Sequence, residues 1–375
     1  MHLNGQKIEV LGGVDANFCY FPTKVNKMFK RRYSGNLIKI KTRRGYEIKV
    51  TPNHPVAVLN KDGAIHYKKA EEIMDNDNLI VPYKLPNYVQ NKISNEYLKL
   101  LGYVLADGHI HNRGIRFKLL REFKINEILS TIKKNGFKPI IYKYGRYTHI
   151  YVNSTKLTRD LINLGMVKNK RKSIPGLIYD LNNEQIIQFL SSYISLDGYI
   201  NKQGQFEIFS KELISDIIPL FLKIGVRAKH KQRIDPGYKK GNVQNFIIFN
   251  NYEFAKEYIK HTINPIHYNN TKEYLNNTSS THVTFDDEIP LSFDYLDMLR
   301  TKTGLSQNNM HKAYYALKPN LKTSQSLTRN LLYHITNRLL SVTNGPDIFK
   351  LRSLAEGNYS YDKIIKIGKT AYDGY

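Results

Sequence analysis

The sequence predicts an α+β protein: a duplicated core of helices and paired strands, flanked by short-stranded segments and one small helical segment. Three observations carry that prediction. Within residues 1–88 apolar and polar residues alternate over short runs, as in NLIKIKTRRGYEIKVTPNHPVAVL, with turn signals at Arg44-Gly45 and Pro52-Asn53. From Ile93 to about Asn276 longer helical stretches alternate with paired strands, and their order repeats. After a polar link, NNTSSTHVT, residues 285–345 carry helical spacing, and strand-like sequence returns over 346–375.

The alternation in the first segment is that of half-buried strands, so residues 1–88 form an all-β portion. The middle segment is read from its repeat. The stretch LLGYVLADGHI (100–110) is followed by a strand GIRFKLL, a helix NEILSTIKKNG, strands PIIYKYG and RYTHIYVN, and a helix LTRDLINLG. From FLSSYISLDGYI (189–200) the order recurs, through QFEIFS, KELISDIIPLFLKIG, RAKHKQRI, VQNFIIFN and YEFAKEYIKH. The two Asp-Gly steps lie 90 residues apart, giving halves 93–172 and 173–276 that a pseudo-twofold axis would relate. In the helical segment, LDMLRTKTGLSQNNMHKAYYAL has a Gly-containing turn between apolar stretches, which fits a helix-turn-helix or a small packing domain.

Composition narrows the partners. A chain of 375 residues implies two or three domains, and 41% hydrophobic residues suffice for real cores. No apolar run approaches membrane-spanning length, and the first residues lack the apolar stretch of a signal peptide. One cysteine, Cys19, excludes an intrachain disulfide framework and fits a reducing, cytoplasmic setting. The net charge of +25 points to a polyanion. Nucleic acid is favoured over a membrane surface because no cationic amphipathic helix stands out. The 28 tyrosines suit contacts to phosphate and sugar but equally suit strand cores.

Each Asp-Gly step poses an electrostatic problem. Glycine ends a helix well, but Asp107 and Asp197 would place carboxylates at the negative ends of helix dipoles. Gly102 and Ala106, four apart, leave one helix face small enough for a second helix to approach closely. If the duplicated helices pack there, Asp107 and Asp197 stand together. A hard divalent cation then relieves their repulsion. Mg²⁺ fits because it takes one or two carboxylates and keeps positions for water and phosphate, with Mn²⁺ as a substitute. On so basic a protein the arrangement implies metal-assisted hydrolysis of a phosphodiester.

These two motifs resemble the dodecapeptide motifs of LAGLIDADG homing endonucleases of the intein-derived type, with Asp107 and Asp197 on the metal-binding acidic position of each. The resemblance covers residues 93 to about 276. It implies two αββαββα halves whose four-stranded sheets form a saddle over double-stranded DNA, cut by a monomer with no protein partner. The second motif departs from the pattern, with Ser192 at the usual glycine and Leu196 at a usually small residue. The resemblance also implies a catalytic lysine in a K-x-I-P segment, here KSIPGLI, which supplies Lys172, 25 residues before Asp197. Its second-half equivalent falls in NPIHYNNTKEYL, at Lys272. A lysine beside the scissile phosphate can stabilise developing charge or orient water.

The predicted sheets offer DNA contacts. Arg227, Lys229, Lys231 and Arg233 alternate and so share one sheet face, as do Arg116 and Lys118 opposite Ile115, Phe117 and Leu119. The loop DPGYKKGN adds Lys239 and Lys240.

Flanking this core, GYEIKVTPNHPVAVL resembles the Thr-x-x-His block of inteins and related Hint domains through Thr51 and His54, and YSYDKIIKIGKTAYDGY resembles the start of an intein's last strands. A nucleophile at the first residue and a terminal His-Asn are not seen, so the expectation is a free-standing endonuclease that does not splice. The competing readings are a DNA-binding protein on the same scaffold without cleavage, and a protein-processing Hint domain.

Overall fold

In the computed structural model the described residues are 9–12, 21–86, 92–168, 171–209, 213–234, 243–278, 288–310, 314, 317 and 327–375. They fall into two compact units. One comprises Met1–Tyr83 with Val283–Tyr375, and the other comprises Lys84–His282.

The first unit opens with β1 (Glu9–Gly12) and β2 (Phe21–Lys24), which pair with each other. Then come β3 (Tyr33–Thr42), β4 (Glu47–Val50), β5 (Pro55–Leu59), β6 (Ile65–Lys69) and β7 (Asn78–Pro82). The predicted alternation is realised: along β3, Ile38 and Ile40 are buried between the partly exposed Lys39 and Lys41. Thr51 and His54 sit in the tight turn entering β5, where the His54 amide donates to the Thr51 carbonyl at 3.0 Å.

The second unit carries one order of elements twice. Its first run is α1 (Asn95–Ala106), β8 (Gly108–His111), β9 (Gly114–Leu119), α2 (Glu122–Lys134), β10 (Ile140–Tyr144), β11 (Tyr147–Asn153) and α3 (Thr155–Asn163). A short hairpin, β12 (Val167–Lys168) and β13 (Arg171–Lys172), follows. The second run is α4 (Asn183–Asp197), β14 (Gly198–Ile200), β15 (Gln205–Phe209), α5 (Ile214–Lys223), β16 (Lys229–Ile234), β17 (Val243–Asn250) and α6 (Tyr252–His261), then α7 (Pro265–Asn277). The sheets are ordered β10-β11-β9-β8 and β16-β17-β15-β14, so corresponding strands hold corresponding places. Ser94, Ser154, Asn182, Asn251 and Asn264 cap their helices by accepting from first-turn amides, which explains where these helices begin. One continuous core, including Phe117, Ile150, Phe206, Ile208 and Phe249, lies under the helix-covered faces of both sheets.

Returning to the first unit, α8 (Phe293–Lys302), α9 (Arg329–Leu340) and α10 (Pro346–Glu356) lead to β18 (Tyr359–Gly374). Of the expected helix-turn-helix, α8 supplies the first helix and Gly304, at φ +70°, the turn, while the residues that follow form a single 3-10 turn, Gln307–Asn309; residues 311–313, 315, 316 and 318–326 lie outside the described residues. The structure corrects the expectation of strands from residue 346. Pro346 starts a helix, and Ile348, Leu351, Leu354 and Ala355 give it one buried face. β18 pairs with β7 through Tyr359–Lys363 and with β3 through Ile364–Gly374, joining the sheet β4-β3-β18-β7-β5-β6. A buried Arg44–Asp362 ion pair, at 3.7 Å, sits beside the register shift after Ile364.

Candidate functional site

The site is built at the ends of two helices that pack closely. A Cβ placed on Gly102 of α1 would lie 2.7 Å from the Ser192 Cβ of α4 and 2.9 Å from the Phe189 carbonyl oxygen. No larger residue fits there without displacing backbone. Ser192 is tolerated at this crossing because its partner is glycine, and its hydroxyl is satisfied within α4 by the Gln188 carbonyl at 2.9 Å. Leu196 is also accommodated, with its side chain buried in the core of the unit.

From this crossing both helices run to their acidic ends. Asp107 is the C-cap of α1, and Asp197 is the last residue of α4. The side chain of Asp107 accepts from Lys124 Nζ at 2.8 Å, and the same ammonium donates to the Leu196 carbonyl at 2.7 Å. Lys124 of α2 therefore ties the end of one motif helix to the end of the other. Lys172, in β13, donates to the carbonyls of Leu105 and Ala106 at 2.9 and 3.1 Å, placing its charge on the negative end of α1. Crowding by surrounding protein and then the charge of Asp107 push the Asp197 carboxyl up to about 6, against the pull of Lys124 and Lys172 and a bond from the Tyr193 hydroxyl. Asp197 is nevertheless reached by solvent, so its charge is partly screened. The sequence reading thus places Asp107, Asp197 and Lys172 in one locality.

Lys272 is exposed on α7, whose inward face carries His267, Thr271 and Tyr274. Two other residues of this segment reach backbone near Asp197. Asn264 Nδ2 donates to the Ser195 carbonyl at 3.4 Å, and Asn270 Nδ2 donates to that of Ile200 at 2.8 Å.

Hard oxygen ligands suit Mg²⁺, and two carboxylates at helix ends with neighbouring cations are a donor set it accepts, the remaining positions falling to water and phosphate. Among the described residues no group of three or more His, Cys, Asp or Glu side chains could hold a metal ion.

The sheet faces turned away from the core carry the predicted cations. Arg116 and Lys118 are exposed, while Ile115, Phe117 and Leu119 are buried. In β16, Lys231 and Arg233 are exposed and Lys229 is half-buried; Arg227 precedes the strand. The Arg233 guanidinium lies 4.0 Å from the Phe246 ring centre. Lys239 and Lys240 lie outside the described residues. Sequence reasoning missed the aromatic character of the first face. Strand register puts Tyr142, His149 and Lys118 in one row, and Tyr151, Arg116 and His109 in the next. Tyr144 is 79% exposed, and Lys118 Nζ stands 4.3 Å from the centre of the Tyr147 ring. A period-two reading of KPIIYKYGRYTHIYVN carries that signal.

The model of the intein splicing domain matches residues 4–375. The chain belongs to the intein splicing domain family. Relatives of this intein-type chain include the replication factor C small subunits of Methanocaldococcus jannaschii, 30% identical over 55% of the chain and 12% of that protein, and of Thermococcus kodakarensis, 29% identical over 59% and 26%. The DNA-directed RNA polymerase subunit Rpo1C of M. jannaschii is 23% identical over 93% of the chain and 45% of that protein. The chain thus spans less than half the length of each of these relatives. Among solved structures, I-DmoI in complex with DNA and Ca aligns over 46% of this chain and 92% of its own, at 18% identity and a TM-score of 0.33. Full-length DUF199/WhiA aligns over 71% and 93%, at 16% identity and a TM-score of 0.33. Among the described residues no helix is long and apolar enough to cross a membrane.

Proposed function

We propose that the second unit is a site-specific endonuclease of the LAGLIDADG type that hydrolyses phosphodiester bonds of double-stranded DNA with Mg²⁺ or Mn²⁺, acting as a monomer on two half-sites related by a pseudo-twofold axis. The observation that carries this reading is the meeting of Asp107 and Asp197 at the ends of closely packed helices, with Lys124 bonded to both ends. Bound there, the metal supplies charge neutralisation at the scissile phosphate and a more acidic water. The chain's own residues do the rest. Asp107 and Asp197 would hold the metal, and Lys124 fixes Asp107 against the end of α4. Lys172 offsets the negative end of α1 and presents a cation toward phosphate oxygens. Lys272 is the second-half candidate for that role. Arg116, Lys118, Arg227, Lys229, Lys231 and Arg233 hold DNA across the outward sheet faces, joined by Tyr142, Tyr144 and Tyr151, and Lys239 and Lys240 add to the cationic charge that binds it.

Incubation with a randomised plasmid library and Mg²⁺, followed by sequencing of linear products, tests this directly. Asp107→Asn should lower cleavage by at least about 10²-fold while leaving DNA affinity intact or higher. Normal cutting by that variant refutes the assignment, and binding with no cleavage by the parent favours the DNA-binding alternative. The family match favours a second reading for the first unit, peptide-bond rearrangement, in which the Thr51–His54 turn polarises a scissile peptide. Mass spectrometry of the chain set between two test polypeptides separates the readings, since joined flanks would establish splicing.

A further inference from the structure

The end of α4 is backed by a buried polar chain that the proposed chemistry does not use. His267 is 4% exposed and Tyr258 is fully buried. Tyr258 Oη and His267 Nδ1 are 2.9 Å apart. The Thr262 hydroxyl donates to Tyr258 Oη at 2.9 Å, and Ser195 Oγ stands 3.1 Å from Thr262 Oγ1 and 3.4 Å from Tyr258 Oη. Ser195 belongs to the last turn of α4, two residues before Asp197. On its other side, Asn264 and Asn270, three residues before and after His267, donate to the Ser195 and Ile200 carbonyls, which bracket Gly198, so the inward-facing His267 ring is directed at the turn that follows Asp197.

Proton accounting fixes the ring. Nδ1 faces the Tyr258 hydroxyl, which leaves Nε2 for the Gly198 side; a carbonyl only accepts, so a ring bonded to it there carries its proton on Nε2. Nδ1 of a neutral ring is then an acceptor, and the Tyr258 hydroxyl donates to it. Burial first, and the charge of Lys124 second, push the imidazolium down to about 4, so the ring is neutral at working pH.

We propose that His267 is a positioning residue for the Asp197 carboxylate: clamped by Tyr258, its ring donates to the Gly198 carbonyl and fixes the turn from which Asp197 projects. The first half solves the same problem with an ammonium, Lys172 on the Leu105 and Ala106 carbonyls. The two motif ends are thereby held by different chemistry. This inference rests on the endonuclease reading, because it gives the turn a reason to be fixed.

The tests compare His267→Gln, which keeps an N–H donor within reach of Gly198, with His267→Leu, which does not. His267→Leu should lower the cleavage rate at saturating DNA by about ten- to a hundredfold and weaken Mn²⁺ binding by a similar factor, with KM for DNA changed less than about twofold. His267→Gln should recover most of both. Tyr258→Phe, which preserves the packing, should move both readouts in the same direction, and it serves if His267→Leu does not fold. Nitrogen-15 NMR of the parent should show one buried histidine, lost in His267→Gln, protonated at Nε2 and neutral at pH 6. Wild-type Mn²⁺ binding in folded His267→Leu, equal losses in the Leu and Gln variants, or a proton on Nδ1 would overturn the inference. A parent that does not cut DNA overturns the endonuclease reading instead, and the tautomer and Mn²⁺ readouts still decide the role of His267.

Discussion

Asp197 is pulled in two directions, and its stability contribution has a definite sign. Its folded carboxyl is raised to about 6 from an ordinary value near 4, by crowding and by Asp107. The folded state therefore binds this proton more tightly than the unfolded chain does. Stability is lost as pH rises from about 4 through about 6, the reverse of a salt-bridged carboxylate. Asp197→Asn should raise the melting temperature above pH 6, modestly because solvent screens the group, and the gain should vanish below pH 4. A pH series of thermal melts checks this, and a gain only at acid pH would contradict it. At this scale the sequence was partly legible. Asp107 and Asp197 were chosen from the repeated Asp-Gly step, and Lys172 from the resemblance of KSIPGLI to the K-x-I-P segment of the homing endonucleases. Lys124 could not, because it lies 17 residues on, in the helix that follows two strands, and only the packing of α2 brings its ammonium there. His267 was passed over for Lys272 within one short segment, since nothing in the sequence says which face of α7 turns inward.

At the scale of elements, the crossing of α1 and α4 sets the geometry of the acids. Because a Cβ on Gly102 would meet Ser192 and the Phe189 carbonyl below 3.0 Å, Gly102→Val must push the helices apart. We expect a destabilisation of about 1–3 kcal/mol, measured by denaturant unfolding. Ser192→Gly, which only removes bulk from the partner position, should cost less than Gly102→Val does. Equal costs would mean that the helices do not cross at these residues. The repeat of elements was readable because apolar spacing switches between periods of two and about 3.6 in the same order twice. The helix Pro346–Glu356 was missed although Ile348, Leu351 and Leu354 carry its period, because the strand signal of the following residues dominated the segment.

For the molecule as a whole, charge is the most legible property, and its consequence is salt dependence. An excess of +25 with exposed Arg116, Lys118, Lys231 and Arg233 on sheet faces should make DNA affinity fall steeply with salt, by about 0.9 in log–log slope per phosphate neutralised. The double variant Lys231→Ala, Arg233→Ala should reduce that slope by about 1 to 2, as measured by titrations across salt concentrations. An unchanged slope would remove these residues from the interface.

The long last strand, β18, has a bearing on how the protein is made. Its partners β3 and β7 are encoded roughly 280 to 340 residues earlier, so the six-stranded sheet is stitched from segments far apart in the sequence. Pairings that distant are slow to nucleate. The second unit, by contrast, is one uninterrupted stretch and can collapse on the ribosome while the first still waits for its closing strand. During that wait the edges of β3 and β7 are open to other strands, and the early folding of Lys84–His282 shortens the effective tether across which β18 must return.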